Sequence, residues 1–507
     1  MRRTLAGCDQ EWGLLKNPRD PPFLPAGPKV AEKQENIKKG AFLFLAPSAD
    51  IDHLARLMKI PSHSHSAAAA SVWSFSFLQR LSGTTLAAAI LAALCAFSTA
   101  SQGAKLPDGT IPSNVGVQLK GPEMNAESLD QVRDAGFKMI RRGFIWDGIE
   151  KEKGVYDFSL YDNFVKLCKE RGLGIIAPMA FNNKLYGHVK DEPGRAAYAA
   201  WAAAMAEHFK NDNIYWEIWN EPNTMTFWGK HGKKGNSDPY AEEYTNLVKA
   251  VVPAMRKADP NCVILAGSVS NMWTESYKWM DFCFKRGMLK LDWDVWSVHP
   301  YGLKAPEDYI EAYAITRKLM EDAGGPSNRP WMNTERGFPV DKNKEGFAGG
   351  EGPKLFEYQA WNLVRQYLID LLEGVNVTIW YEWGGKEGFA LQPAGGEPAP
   401  ALKAAKVFVT ELSGYKLDKR IATKEPRDFV LRFTNPAGGV KLVAWTAPPP
   451  MQGPDKIVDH TITVPVEASG SLITAGIYGE AGKVDVKSGS IELNLTGAPQ
   501  YITVIKK

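Results

Sequence analysis

The chain has 507 residues, 44% hydrophobic and 23% charged, with a formal net charge of +3. It is too long for one ordinary domain and suits a barrel of about 250 residues joined to a smaller module. Residues 1–100 hold eleven Lys/Arg and seven Asp/Glu, so the rest of the chain carries −1, which argues against a nucleic-acid or anionic-membrane partner.

Leu86 to Phe97 (LAAAILAALCAF) is an apolar run too short to span a bilayer comfortably. With Arg80 before it and the small residues Ser98-Thr99-Ala100-Ser101 after it, it reads as a signal-peptide core. Residues 1–104 are therefore expected to be an N-terminal extension and signal peptide, with a mature start near Ser101 and a secreted or periplasmic product. No stable membrane insertion would remain after its removal. Met58-Lys59 is a more usual starting point than Met1. Cys168, Cys262 and Cys283 would remain, an odd and sparse set that argues against a disulfide framework.

From about Asn114, short apolar runs alternate with helical stretches at βα spacing. The expected strands are Val115 to Leu119, Lys138 to Arg141, Gly174 to Ala180, Tyr215 to Trp219, Val263 to Ser268, Val295 to His299, Trp331 to Thr334 and Val377 to Trp380. Apolar residues recur at helical spacing in Tyr161 to Glu170, Gly194 to Phe209, Tyr240 to Lys257, Pro306 to Glu321 and Leu355 to Glu373. Eight strands with intervening helices, and no Gly-rich phosphate loop, predict a (β/α)8 TIM barrel over 105–415. A last helix, Ala399 to Leu412, closes it. Residues 416–507 change texture: brief β-type runs (Phe429 to Phe433, Val440 to Trp445, Thr461 to Val464, Ile491 to Leu495, Tyr501 to Ile505) predict a smaller antiparallel β-sandwich. Its few aromatics lie mostly inside apolar runs, which suits a buttress for the barrel better than a glycan-binding module.

The words that carry chemistry are Trp216-Glu217-Ile218-Trp219-Asn220-Glu221-Pro222-Asn223, at the end of the fourth strand, and Asn333-Thr334-Glu335-Arg336-Gly337, at the end of the seventh. In such a barrel the C-terminal strand ends face one mouth, so Glu221 and Glu335 can enter one cleft. Glycoside hydrolysis needs such a pair of carboxyl groups. Glu217, four residues earlier on the same face but deeper, reads as structural.

These words, with the Trp-rich eighth strand and the segments Trp146-Asp147-Gly148-Ile149-Glu150 and Gly154-Val155-Tyr156-Asp157-Phe158, give a chain that resembles glycoside hydrolase clan A over roughly residues 112 to 412. It is most similar to families 5 and 39 and to bacterial cellulase-like hydrolases. The resemblance implies a retaining double displacement on a β-linked poly- or oligosaccharide, with Glu221 as acid/base and Glu335 as nucleophile and no cofactor. It also matches Arg141 to an arginine beside the nucleophile, there to help keep Glu335 ionised, and His299 and Tyr301 to cleft positions, with the Tyr hydroxyl donating to Glu335. Asn220 is placed to bond a sugar 2-hydroxyl. Arg142 should point away from Arg141 if the strand is regular. Trp380 and Trp383 are expected to form a sugar-stacking floor, because pyranose C–H faces bury well against indole. Trp146, Asn183, Tyr186, Trp228 and Trp273 are candidates for the cleft walls. No HExxH word or His/Cys cluster accompanies His299, so no metal is expected. Lys230, His231, Lys233 and Lys234, in the loop after the fourth strand, would suit an acidic glycan or simply a solvated loop. The competing reading is a carbohydrate-binding barrel with little catalytic activity.

Overall fold

A computed structural model describes residues 105–229, 237–326, 328–340, 353–385, 388–393 and 395–504. The expected signal segment, Lys230, His231, Lys233, Lys234 and Ile505 lie outside the described residues. No helix among the described residues is long and apolar enough to cross a membrane.

Eight parallel strands of the first sheet form the barrel: β1 (Val115–Gln118), β2 (Met139–Arg141), β3 (Gly174–Ala180), β4 (Ile214–Ile218), β5 (Val263–Ser270), β6 (Val295–His299), β7 (Trp331–Arg336) and β8 (Val377–Trp380). Each pairs with its neighbours in chain order, and β1 pairs with β8, which closes the barrel. A helix follows every strand: α1 (Ala126–Asp134), α2 (Ser159–Glu170), α3 (Glu192–His208), α4 (Ser237–Ala258), α5 (Thr274–Lys285), α6 (Tyr309–Asp322), α7 (Pro353–Leu372) and α8 (Pro400–Leu412). The strands are buried on both faces, as parallel strands under helices must be, and so read as near-continuous apolar runs.

Strand alternation sorts the residues into two cores. Met139, Ile176, Tyr215, Val263, Leu265, Val295, Met332, Val377 and Ile379 point inward and fill the lower barrel as a dry plug. The alternate residues pack outward against the helices. Above the plug the inward positions turn polar, and the site is built there. Cys168, Cys262 and Cys283 are buried thiols, and burial pushes Cys168 and Cys262 up to about 12.

Behind β7 and β8, Asp370 of α7 accepts hydrogen bonds from Asn333 (2.8 Å), Thr378 (2.9 Å) and Tyr313 (2.9 Å). With only neutral donors around it, burial pushes its carboxyl up to about 7.

The C-terminal strands are β9 (Lys416–Arg420), β10 (Asp428–Thr434), β11 (Val440–Thr446), β12 (His460–Pro465), β13 (Ser471–Ala475), β14 (Ala481–Asp485), β15 (Ser490–Leu495) and β16 (Gln500–Val504). They form an antiparallel six-stranded sheet in the order β9-β10-β11-β16-β13-β14, and a two-stranded β12-β15 sheet. One face of the larger sheet (Val430, Leu442, Ala444, Ile502) packs on Val464, Ile491, Leu493 and Leu495 of the smaller. Its other face (Phe429, Leu431, Phe433, Val443, Trp445) is continuous with the outer core of the barrel. At that seam the Trp445 indole, stacked on Phe429 with ring centroids 4.9 Å apart, donates to Glu307 at 2.7 Å. Glu307 is in turn ion-paired with buried Arg365, while Arg427 pairs with Asp308.

Trp445→Ala removes a buried indole and a bond to a buried carboxylate, and should cost about 3–5 kcal/mol. Denaturant unfolding of the full chain checks this, and a loss below about 1 kcal/mol would contradict the seam as drawn. Folding favours the protonated form of Asp370, because its pKa of about 7 exceeds the roughly 3.9 of an unfolded Asp. Its stabilising contribution is therefore present in full below the unfolded value and is lost as pH rises through the folded one. Asp370→Asn should flatten that decline in melting temperature; an unchanged pH slope would rule Asp370 out as its source.

Candidate active site

The centre of the polar layer is Arg141, last residue of β2 and almost completely buried. Its Nε and Nη2 donate to Glu217 of β4 at 2.9 and 2.7 Å. Nη2 also reaches Asn220 Oδ1 at 2.7 Å, and Nη1 donates to Gln118 of β1 at 2.8 Å and to Glu335 of β7 at 2.6 Å. One guanidinium thus ties four strands together. Burial lowers its pKa, but the charges of Glu217 and Glu335 outweigh burial and hold it above the usual value. Arg142 turns the other way, to Met124 Sδ at 3.1 Å, as alternation requires.

Two backbone irregularities aim the upper carboxylates. β4 ends at Ile218, and Trp219 and Glu221 adopt left-handed φ of 71° and 49°. Trp219 swings out against Phe181, Tyr198 and Trp228, which leaves Asn220 and Glu221 both turned to the mouth. On β7, Thr334 occupies the inward phase, and a register shift against β8 between Asn333 and Arg336 brings the adjacent Glu335 to the same cavity. Glu221, His299 and Glu335 each present a donor atom within 4.8 Å of the other two. A cation could use that spacing, but the guanidinium already lies 2.6 Å from Glu335.

Glu335 also accepts from the Tyr301 hydroxyl at 3.3 Å. Its pKa is raised: burial is the largest influence, followed by opposing pulls from His299 and Arg141 and a push from the charge of Glu221. The expected Arg141 contact is made, but it does not by itself lower the Glu335 pKa. Glu221 Oε1 lies 3.0 Å from His299 Nδ1, while His299 Nε2 faces Thr334 Oγ1 at 3.1 Å and Ser268 Oγ at 3.2 Å. Thr334 donates to Glu217 Oε1 at 2.7 Å. Ser268 reaches this position through a bulge in β5 at Gly267, whose φ is 113° and where a Cβ would lie 2.5 Å from the Ser297 carbonyl.

Several expected site residues are elsewhere. Trp380 is fully buried, in the outward phase between Ile379 and Tyr381, and its indole donates to the Phe389 carbonyl at 3.2 Å. Trp383 is also buried, edge-on to Phe137. Neither offers an open ring face, so the expected stacking floor is not formed by these two. Trp146 is buried between Tyr186 and Trp201 and donates to Glu150; Asn183 donates to the Glu150 carbonyl. Both hold the Glu150 hairpin together and neither joins the carboxylates. Trp228 is buried and bonds Glu243. Trp273, by contrast, is 49% exposed, and lies beside Gly302, next to Tyr301.

Residues to which the sequence assigned no role complete the mouth. Gln118, outside the motifs, and Thr334, within one of them, lie in the inward phase of their strands, a signal that alternation carried. Tyr381 continues the inward phase of Ile379, with Lys120 Nζ 5.7 Å from its ring and that same lysine 2.8 Å from buried Glu382.

Chemically, the cavity presents one carboxyl bound to imidazole and one bound to guanidinium and phenol, facing each other across a gap small enough for one reacting carbon. The family model for cellulase (glycosyl hydrolase family 5) matches residues 107–316. No curated protein matches the chain. Among solved structures, a family 39 glycoside hydrolase from the gut symbiont Bacteroides cellulosilyticus WH2 is similar at 21% identity and a TM-score of 0.63, over 79% of this chain and 82% of that one. A monomeric beta-xylosidase from Caulobacter crescentus CB15 is 14% identical with a TM-score of 0.56, over 80% and 98%. A GH30 endoxylanase from Clostridium papyrosolvens C71 is 14% identical with a TM-score of 0.55, over 80% and 97%. These likenesses are of fold.

Because burial raises the Glu335 pKa, its carboxyl should titrate above the roughly 4.3 of a free Glu side chain. Carbon-13 titration of Glu-labelled protein, assigned with Glu335→Gln, reads this directly, and an inflection below about 4.3 would contradict it.

Proposed function

We propose that this chain, whose residues 107–316 match the glycosyl hydrolase family 5 model and whose fold is similar to that of a family 39 glycoside hydrolase, is a clan A glycoside hydrolase, and that it is a secreted, retaining, metal-independent β-glycosidase of poly- or oligosaccharides. Glu335 is the nucleophile and Glu221 the acid/base. The observation that carries this reading is the approach of the two carboxylates, with oxygens within 4.8 Å of each other. Retaining enzymes hold their carboxyl groups about 5–5.5 Å apart, whereas inverting ones need about 6.5–9.5 Å to admit a water.

The neighbours support the division of labour. Arg141 and the Tyr301 hydroxyl both donate to Glu335, so its attacking oxygen is held in place and part of the cost that burial puts on its charge is offset. In the first step a Glu335 oxygen bonds the anomeric carbon while Glu221 gives its proton to the departing oxygen. In the second, Glu221 takes a proton from water as the water oxygen displaces Glu335. Arg141 occupies Asn220 Oδ1, which turns the Asn220 amide N–H groups toward a sugar hydroxyl. The open indole of Trp273 suits a sugar face beyond the reacting bond. Secretion rests on the Leu86–Phe97 segment.

Glu335→Gln should lower turnover of aryl β-glycosides by at least about 10³-fold. The wild-type enzyme should first release the β-anomer when proton NMR follows hydrolysis of whichever β-glucoside, β-xyloside or β-mannoside it accepts. First appearance of the α-anomer would replace retention with inversion. Absence of turnover on the whole panel and on β-linked polysaccharides would favour the carbohydrate-binding alternative.

A further inference from the structure

We propose that Thr334 and buried Glu217 fix which of the two carboxyl groups holds the proton, acting on Glu221 through His299 as one directed hydrogen-bond chain. The proposal rests on Glu221 being the acid/base and concerns what makes it an acid.

Direction follows from counting hydrogens. Glu217 is fully buried with two Arg141 N–H groups on Oε2. Burial opposes its ionisation, but Arg141 above all outweighs burial and leaves its pKa below the usual range. As a carboxylate it only accepts. The Thr334 hydroxyl has a single hydrogen and spends it on Glu217 Oε1 at 2.7 Å. Towards His299 Nε2, at 3.1 Å, Thr334 therefore offers only a lone pair, so Nε2 carries the hydrogen, shared with Ser268 Oγ at 3.2 Å. We take His299 as the neutral imidazole, which has one N–H. Nδ1 is then a lone pair, and its 3.0 Å contact with Glu221 Oε1 needs its hydrogen from the Glu221 carboxyl.

The other groups around the pair agree. Glu335 is bonded by Arg141 and by the Tyr301 hydroxyl, both donors, which offset part of the cost of burying its charge; in the proposed arrangement the proton rests on Glu221 and the charge on Glu335. When Glu221 gives that proton to the leaving oxygen, its carboxylate faces the Nδ1 lone pair. That repulsion makes Glu221 a better base for the water of the second step, and the proton taken from water restores the starting arrangement. Thr334 and Glu217 touch no substrate in this scheme; they are positioning residues.

The test compares kcat/KM for two β-glycosides of one sugar. A 2,4-dinitrophenyl group leaves as an anion and needs no acid, whereas an alkyl or unsubstituted phenyl group needs the proton. Thr334→Val should lose about 100-fold on the poor leaving group, the low end of general-acid effects, and several-fold at most on the dinitrophenyl substrate. Thr334→Ser, which keeps the hydroxyl, should recover most of the difference. The ratio of the two substrates is independent of the fraction of enzyme folded, so partial unfolding does not mimic the effect. Equal losses on both substrates, or a serine variant no better than valine, would overturn the relay. Glu221→Gln in the same assay separates the two ideas: if it shows no leaving-group dependence, the acid/base reading itself fails; if it does while Thr334→Val does not, only the relay fails.

Discussion

The buried guanidinium of Arg141 is the constraint from which the site hangs. Removing a charge from water costs several kcal/mol unless partners replace the lost hydration. Here the partners come from three other strands: Gln118 of β1, Glu217 of β4 with Asn220 just past its end, and Glu335 of β7. Satisfying one side chain therefore fixes the mutual positions of strands distant in sequence. Glu217 supplies the permanent countercharge, which leaves Glu335 bonded by Arg141 yet still facing the cavity. A barrel with only apolar residues at this level would close as well, but nothing would hold two carboxylates at a set separation.

Above that layer, function depends on departures from regular structure. The left-handed residues after β4 and the shift in β7 each break strand alternation by one step, and each break delivers a glutamate to the mouth. Such conformations persist only where the surroundings enforce them, and the enforcing groups are the aromatic packing around Trp219 and the helix contacts behind β7. The sandwich adds a constraint from the side. Trp445 and Arg427 hold Glu307 and Asp308, in the connection between β6 and α6 that also carries Tyr301. Loss of the sandwich would thus be felt at the hydroxyl that orients Glu335 as well as in the core.

The eight strands and the two glutamates were legible because parallel strands write themselves as apolar runs and because Asn220-Glu221-Pro222 and Thr334-Glu335 stand at strand ends. The helix α1 was not singled out, since only Leu129 and Val132 of its nine residues are buried. The strands β9 and β14 have exposed, mostly polar sequences that carry little apolar signal, and β13 buries only Leu472. The tryptophan floor failed for a different reason: Trp380 was placed by its position at a strand end, whereas alternation from Ile379 sends it outward and puts Tyr381 at the mouth. Glu217 lies deeper than Glu221, as strand alternation predicts, but its connection to His299 through Thr334 is a matter of three-dimensional contact that no spacing encodes.

The most direct test of the account is covalent capture of the nucleophile. A 2-deoxy-2-fluoro glycosyl fluoride of an accepted sugar should inactivate the enzyme with time and add one sugar to the intact mass, and peptide mapping should place that sugar on Glu335. A label on Glu221 or Glu217, or steady turnover of the natural substrate with no label on any carboxylate, would contradict the assignment on which the whole reading of the site depends.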